Sequence, residues 1–248
     1  GYGYAGVPDP RSDVAAPDDT GIWRVDLETG RSALILSVAE IVRWSPPPGG
    51  FPEGAKHWVN HLLVAPDGRR FVFLHRWRSP AEGRSWKTRM ITVSSDGRDP
   101  YILIPNGKVS HFIWRDAEHI LAYAGVGEEG REWDFQVFRD RTREAVRVAG
   151  MLRKDGHCVY LPARRNEWIL SDTYPDPARN REQELYVVHI PTGRRIVIGR
   201  FHSPAPYQGE WRCDLHPRCS ADGRWVCMDS THGGAGRQMY VLDLAGIG

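Results

Sequence analysis

Four histidines recur at matching places in this chain, each just before a polar turn that leads into an apolar strand. They are His61, His111, His157 and His216. If each one opens the inner strand of a repeated unit, equivalent positions point to a common centre, and four imidazoles gather around one site. Neutral imidazole is the most common protein ligand for transition metals and also carries protons near neutral pH. The alternative is that each histidine only caps its strand or bonds to a turn carbonyl.

A carboxylate and a phenol accompany these imidazoles in the sequence. Asp214 lies two residues before His216, so both side chains point to the same face of a strand. The carboxylate could therefore be a second metal ligand or orient the imidazole. Tyr174 follows the apolar strand of its repeat, where a catalytic phenol and simple packing against a neighbouring sheet are equal alternatives.

Cations and an aromatic ring follow the apolar strand of the first repeat. His75, Arg76 and Trp77 are consecutive, and this combination suits an acidic sugar. A Trp face stacks on sugar rings, and Arg grips carboxylates through two hydrogen bonds. We predict that these three residues bind substrate together with His61 and Arg212.

Short strands and turns must position these side chains. Four times a polar turn leads into an apolar run, beginning at Phe71, Ile120, Trp168 and Trp225, and a second strand ending in a turn follows. β-Branched and aromatic residues alternate with polar ones throughout, which favours strands. Helical periodicity is limited to one turn at 38–42. A repeat of about 50 residues made of strands and turns is the signature of a β-propeller.

The sequence therefore predicts an all-β fold, a β-propeller of four-stranded antiparallel blades that forms a single domain over residues 1–248. We expect blades at about 57–105, 108–149, 155–200 and 212–247, preceded by the outer half of an earlier blade at about 20–38. That half-blade indicates a larger ring cut short. The chain does not begin with Met, and we expect an incomplete or excised piece, or a mature form.

Composition excludes some classes of function. The net charge of +2 is too small to imply nucleic acid, and no apolar run reaches the roughly 18–20 residues of a membrane span. Four cysteines without CxxC spacing predict reduced thiols. We expect a soluble protein of the bacterial cytoplasm or periplasm, with the choice between them left open.

The order of motifs resembles that of oligogalacturonate lyases. The matching motifs are Asn60-His61, Pro66-Asp67-Gly68, Thr88-Arg89-Met90, Ser110-His111-Phe112-Ile113-Trp114, Gly156-His157 and Asp214-Leu215-His216-Pro217. More broadly, residues 20–245 are similar to ulvan lyases and to TolB-like and WD40-like propellers. The resemblance to the lyases implies a seven-bladed ring, of which this chain would be an incomplete part. It also implies cleavage of uronate-containing oligosaccharides or polysaccharides by metal-assisted β-elimination.

The same resemblance implies roles for individual residues. Arg89 and His111 fall on the catalytic Arg and His of the family. His157 and His216 fall on two metal-binding His, and Asp214 stands where the family has another His. The implied cofactor is a divalent metal ion, Mn²⁺ or Zn²⁺.

Elimination needs a base, an acid and a group that neutralises the sugar carboxylate. We predict His111 as the base, Tyr174 as the acid, and Arg89 with the metal as the carboxylate clamp. An acidic oligosaccharide or polysaccharide is thus the expected partner. The alternative is a TolB-like propeller without catalysis, which binds a protein or a carbohydrate through the same central face. A hydrolytic or peptidase-associated propeller is disfavoured because no Gly-x-Ser-x-Gly elbow occurs.

Overall fold

The computed structural model describes residues 7–47, 49–83, 85–126, 132–148, 152, 154–162 and 165–246. In these residues the fold is all-β apart from one short α-helix and three 3₁₀ turns, and the prediction of a β-propeller is confirmed. Arg164 of the third repeat's turn, and the predicted last residues of the second and fourth blades, 149 and 247, lie outside the described residues.

The strands form five antiparallel sheets in chain order. The first sheet has two strands, β1 (Gly21–Val25) and β2 (Ser32–Ser37), and the helix α1 (Val38–Arg43) follows it. Blade 1 contains β3 (Lys56–Val64), β4 (Arg70–Arg78), β5 (Lys87–Ser94) and β6 (Tyr101–Ile104). Blade 2 contains β7 (Val109–Trp114), β8 (His119–Val126), β9 (Glu132–Arg139) and β10 (Ala145–Arg147).

Blade 3 contains β11 (Cys158–Tyr160), β12 (Trp168–Asp172), β13 (Glu182–His189) and β14 (Arg194–His202). Blade 4 contains β15 (Arg218–Cys219), β16 (Trp225–Ser230) and β17 (Gln238–Asp243). This last blade has three strands in the described part of the chain, where four were predicted. The 3₁₀ turns are Pro80–Glu82, Pro177–Arg179 and Gly209–Trp211.

The polar turns of the repeat are built by aspartate side chains. The carboxylates of Asp67, Asp116 and Asp222 each accept a hydrogen bond from the backbone N–H two residues later, at 2.9–3.0 Å. A short carboxylate side chain closes such a turn on its own backbone. The third repeat uses another solution, since Arg165 and Asn166 both take the left-handed backbone, with φ of 54° and 56°.

The second strand of blades 1, 2 and 3 is apolar at consecutive positions because both of its faces are buried. In β4, Phe71 and Phe73 pack toward the first sheet, whereas Val72 and Leu74 pack toward blade 2. Successive side chains of a strand point to opposite faces, so one strand feeds two cores. Equivalent cores join blade 2 to blade 3 and blade 3 to blade 4.

The outward faces of the two terminal sheets carry exposed apolar side chains. Trp23 and Val25 of the first sheet are 53% and 54% exposed, and Met239 and Val241 of blade 4 are 70% and 62% exposed. These faces lie away from the four cores between the sheets. No helix among the described residues is long and apolar enough to cross a membrane.

Candidate active site

A cavity of about 480 Å³ opens where the innermost strands of the four blades converge. Its wall combines imidazole, guanidinium, phenol and indole groups, contributed by His61, Arg76, Trp86, His111, His157, Tyr174, Arg212, His216 and Arg218. Seven of the eleven predicted site residues are in this set. The other four are Arg89, His75, Trp77 and Asp214.

Irregular backbone positions three of the imidazoles. The pairing of β3 with β4 is interrupted at His61 and Leu62, and the pairing of β7 with β8 is interrupted at Ser110 and His111. A bulge of this kind re-aims a side chain out of the regular alternation of a strand. His61 and His216 also take positive φ values of 53° and 45°, which side chains other than glycine seldom adopt. Such local distortions cluster at functional sites.

Three of the predicted histidines form one contiguous cluster. The ring of His157 lies at its centre, 4.4 Å from the ring of His111 and 4.1 Å from the ring of His216, measured between centroids. The Tyr174 ring lies 6.0 Å from both His111 and His157. His61 lines the same cavity. Residues far apart in sequence therefore meet at one place, as the matching register predicted.

A buried carboxylate holds the centre of the cluster. Asp172, at the end of β12, is 1% exposed and accepts hydrogen bonds from the backbone N–H of His157 at 2.7 Å and of His216 at 2.9 Å. It also lies 2.9 Å from Nδ1 of His157. Because an ionised carboxylate only accepts, Nδ1 of His157 carries the hydrogen that points at Asp172. Asp172 thus ties two site histidines from adjacent blades to one point.

A second carboxylate serves His111. Oδ1 of Asp155 lies 2.8 Å from Nδ1 of this ring, and Nε2 on its other side lies 3.2 Å from the Tyr174 hydroxyl. Asp155 also accepts a hydrogen bond from Ser110 Oγ at 2.8 Å. Carboxylate, imidazole and phenol therefore form a continuous hydrogen-bonded chain that ends in the cavity.

Guanidinium groups give the cavity a positive character. Arg76 lies 5.5 Å from the ring centre of Trp86, and Arg212 lies 5.5 Å from that of Tyr174. Arg218 donates to the carbonyl of Pro217 at 2.9 Å, a neutral acceptor that leaves its charge uncompensated by that bond. An anionic ligand would meet cations on more than one wall of the cavity.

Crowding in the cavity shifts the protonation of several groups. Desolvation of the rings, followed by nearby positive charge, lowers the pKa of His61 and of His216 below the ordinary value, and because both residues are exposed, the surrounding water weakens this effect. Both imidazoles are thus neutral at neutral pH. Burial, reinforced by the charge of Asp214, raises the pKa of the Tyr174 phenol. Tyr174 therefore keeps its proton at neutral pH, and the raised pKa makes it a weaker acid than a free phenol.

Arg89 does not line this cavity. Its side chain is 1% exposed, and its two terminal nitrogens donate to the carbonyls of Ile41, Trp44 and Ser45 at 2.8–2.9 Å. Nε donates to Nδ1 of His75 at 2.9 Å. These carbonyls belong to the end of α1 and the residues that follow it, so Arg89 joins blade 1 to the C-terminus of the helix.

His75 and Trp77 belong to the same buried cluster as Arg89. Nε2 of His75 lies 3.0 Å from Nδ1 of His57, and Phe51 packs edge-on against His57, His75 and Trp77. Burial, with the positive charge of Arg89, lowers the pKa of His75 to about 2 and that of His57 to about 4. None of these side chains lines the cavity, whereas their neighbour Arg76 does.

Two of the three predicted metal ligands are adjacent, but the third is engaged elsewhere. His157 and His216 are in ring contact, whereas the carboxylate of Asp214 forms an ion pair with Arg212 at 2.9 Å. The described residues contain no group of three or more His, Cys, Asp or Glu side chains arranged to hold a metal ion. The arrangement of His157, His216 and Asp214 therefore does not fit the predicted metal site, and the divalent metal ion stays a prediction. The chemistry below is derived from side chains alone.

Sequence reasoning missed Asp155, Asp172, Trp86 and Arg218. One available signal was that Asp155 precedes His157 by two residues, as Asp214 precedes His216. That spacing would have suggested the wrong partner, however, because Asp155 binds the histidine of the preceding blade. No sequence pattern indicated that Asp172 bridges two blades.

No protein-family model and no curated protein sequence matches the chain. Among solved structures, it is similar to an oligogalacturonate lyase from Vibrio parahaemolyticus, with a TM-score of 0.51 and 13% identity, covering 90% of this chain and 71% of that one. It is also similar to the tricorn protease, with a TM-score of 0.54 and 12% identity, covering 92% of this chain but only 24% of the protease. At such identities these likenesses support the β-propeller fold that the sheets display.

Proposed function

We propose that the chain is a polysaccharide lyase that cleaves uronic-acid-containing glycans by β-elimination, with His111 as the base and Tyr174 as the acid. The observation that carries this proposal is the 3.2 Å contact between His111 Nε2 and the Tyr174 hydroxyl inside an arginine-lined cavity. The similar oligogalacturonate lyase supplies the substrate class, and the side chains supply the argument for the chemistry.

The hydrogen on C5 of a uronate is only weakly acidic because the adjacent carboxylate already carries a negative charge. Removing it requires that the charge growing on this carboxylate be stabilised in the transition state. Arg76 and Arg218 would provide this stabilisation from the cavity wall, together with Arg212, whose charge is partly offset by its ion pair with Asp214. The neutral rings of His61 and His216 can donate hydrogen bonds without adding charge.

The proton inventory of the proposed reaction balances within the protein. Nε2 of His111 takes the C5 proton, the bond between C4 and the leaving oxygen breaks, and a C4–C5 double bond forms. Tyr174 gives its proton to the leaving oxygen as that bond breaks. The His111 imidazolium then returns a proton to the Tyr174 oxygen across their direct contact, which restores both groups for the next turnover.

We assign Arg89 no step in this scheme, because its buried guanidinium donates to backbone carbonyls and to His75 and does not line the cavity. The three arginines of the cavity wall would instead neutralise the uronate carboxylate, the role that the resemblance implied for Arg89.

The test is to incubate the protein with oligogalacturonate, polygalacturonate and ulvan, with a neutral glycan as a control, and to follow ultraviolet absorbance of the unsaturated product. His111→Ala and Tyr174→Phe should each reduce kcat by about 10²–10⁴-fold, the range that a positioned acid or base supplies. His119→Ala is a matched control, since this ring bonds to Asp116 outside the cavity. Parallel runs with a chelator, then with added Mn²⁺ or Zn²⁺, test the predicted metal.

Two results would contradict the proposal. Full turnover by His111→Ala would reject the base. Binding of a uronate without any unsaturated product would favour the propeller that binds carbohydrate without catalysis, for which the exposed Trp86 beside Arg76 offers a stacking surface.

A further inference from the structure

We propose that Asp155 is a positioning residue that fixes the tautomer and the orientation of His111, so that Nε2 of this ring is the basic nitrogen in the cavity. The inference rests on the proposed lyase function for its catalytic meaning. Its structural content is independent of any substrate.

Asp155 uses both carboxylate oxygens on the same short stretch of blade 2. Oδ1 lies 2.8 Å from His111 Nδ1, and Oδ2 accepts from Ser110 Oγ at 2.8 Å. Ser110 and His111 are the two residues at which the pairing of β7 with β8 is interrupted. A residue that leads into blade 3 therefore holds the irregular point of blade 2 from which the catalytic imidazole projects.

The available donors and acceptors fix the direction of the hydrogen bonds that link Asp155, His111 and Tyr174. An ionised carboxylate has no hydrogen to give, so the neutral ring must carry its hydrogen on Nδ1. Nε2 then has a lone pair, which accepts the Tyr174 hydroxyl in the resting state. When substrate oxygen takes that hydroxyl's hydrogen bond, the lone pair becomes available for the C5 proton. Without Asp155, Nδ1 keeps only Ser110 Oγ as a partner, 3.2 Å away, and a hydroxyl can donate to the ring as well as accept from it. The other tautomer then becomes accessible, and it points an N–H at Tyr174.

The carboxylate also faces the charge that forms during the reaction. After His111 accepts a proton, the imidazolium lies between Asp155 and Tyr174, with the ring of His157 against its edge. The charge of Arg212 beside Tyr174 is already offset by its ion pair with Asp214. The Asp155 carboxylate, 2.8 Å from Nδ1, therefore stabilises the new positive charge on the imidazolium itself, as an orienting carboxylate does in other acid–base sites.

Asp155 differs from the neighbouring carboxylate Asp172 in how easily it can be replaced. Its side chain is 29% exposed, whereas that of Asp172 is 2% exposed and accepts hydrogen bonds from two backbone N–H groups as well as a ring. Removing Asp155 should therefore spare the fold, and its effect should be confined to Ser110 and His111.

The experiment compares Asp155→Ala with wild type and with Asp243→Ala, which removes an exposed carboxylate paired with Arg224 on the last strand. The ¹⁵N chemical shifts of the ring nitrogens, with labelled histidine and His111→Ala for assignment, report the tautomer without substrate. In wild type, His111 should be protonated on Nδ1. In Asp155→Ala, this preference should disappear, while Asp243→Ala leaves it unchanged.

The kinetic readout uses the best uronate substrate. Asp155→Ala should lower kcat on the order of 10²-fold, at the low end of what a positioned base contributes, with KM nearly unchanged. Added formate, a carboxylate small enough for the vacated space, should recover part of this loss in Asp155→Ala but none in Tyr174→Phe. Thermal unfolding checks that the variant remains folded.

The possible failures are distinguishable. An unaltered His111 tautomer in folded Asp155→Ala would overturn the positioning role, whatever the enzyme does. An altered tautomer with unchanged kcat would overturn its catalytic significance. A wild-type protein without turnover on any uronate would reject the lyase proposal, and an altered tautomer would still establish that Asp155 orients His111.

Discussion

Replacing Arg89 by methionine should destabilise the protein while leaving the cavity lining unchanged. Methionine has a similar length but no donor, so the carbonyls of Trp44 and Ser45 and Nδ1 of His75 would lose the partner that Arg89 provides, whereas the Ile41 carbonyl would keep its bond from the Trp44 N–H. Each buried polar group left without a partner costs about 1–3 kcal/mol. Water can reach the part-buried carbonyls and recover some of this, so we expect a loss of about 3–5 kcal/mol in total.

The assay is thermal and denaturant unfolding followed by circular dichroism. For a chain of this size, 1 kcal/mol corresponds to about 2–4 °C in Tm, so Tm should fall on the order of 10 °C. Arg98→Met is the matched control, because the Arg98 side chain is 87% exposed, and it should change stability by less than about 0.5 kcal/mol. Arg89→Lys keeps the charge but cannot span three carbonyls, and it provides a milder variant if Arg89→Met does not fold.

The outcome separates two roles for this residue. If Arg89 supports the structure, the Arg89→Lys protein that remains folded should retain most of its turnover at a temperature well below its Tm. If Arg89→Met is as stable as wild type but has no turnover, the reasoning is refuted and the catalytic role implied by the resemblance gains support.

Two further predictions concern the same regions of the molecule. Gly156→Ala should lower the unfolding free energy by several kcal/mol, since an added Cβ would lie 2.1 Å from the Asp172 carbonyl oxygen. The same substitution should reduce turnover by displacing His157. Normal stability of the variant in urea unfolding would contradict this prediction. The folded state holds His57 and His75 neutral, with pKa values of about 4 and about 2, whereas the pKa of a histidine in the unfolded chain is about 6.5. The free energy of unfolding should therefore fall as the pH decreases from about 6.5 toward 4. In that range the unfolded chain binds more protons, so each ring contributes a slope of about 1.4 kcal/mol per pH unit, and a His75→Leu variant that keeps the full slope would exclude this explanation.

The fold was predictable because its signals are local. Aspartate turns close on their own backbone at Asp67, Asp116 and Asp222. The strands that follow Asp67 and Asp116 are apolar on both faces, and the strand that follows Asp222 is apolar on the face that it buries. These features need no knowledge of the neighbouring sheets. A strand that is apolar on both faces indicates that its sheet is covered on both sides, which a ring of blades achieves.

The shared centre of the histidines followed from the repeat, but the positions of their neighbours did not. In β4 the side chains alternate, so Arg76 reaches the cavity while His75 and Trp77 turn to the opposite face. Arg89 is paired with His75 across the strands and points to that same face. A strand places adjacent side chains on opposite faces. The three consecutive residues predicted to bind one sugar therefore cannot all reach the same cavity.

The site depends on how accurately neighbouring blades are held relative to each other. Apolar cores between sheets are non-directional and tolerate small sliding motions, whereas proton transfer requires heavy atoms within about 2.6–3.2 Å. Asp155 reaches from the entrance of blade 3 to His111 of blade 2, and Asp172 reaches from blade 3 to the segment that enters blade 4 at His216. Each carboxylate adds a directional hydrogen bond at a junction between blades, next to the cavity. This accounts for a carboxylate as deeply buried as Asp172, because the polar groups around it are paired only when the blades are in register.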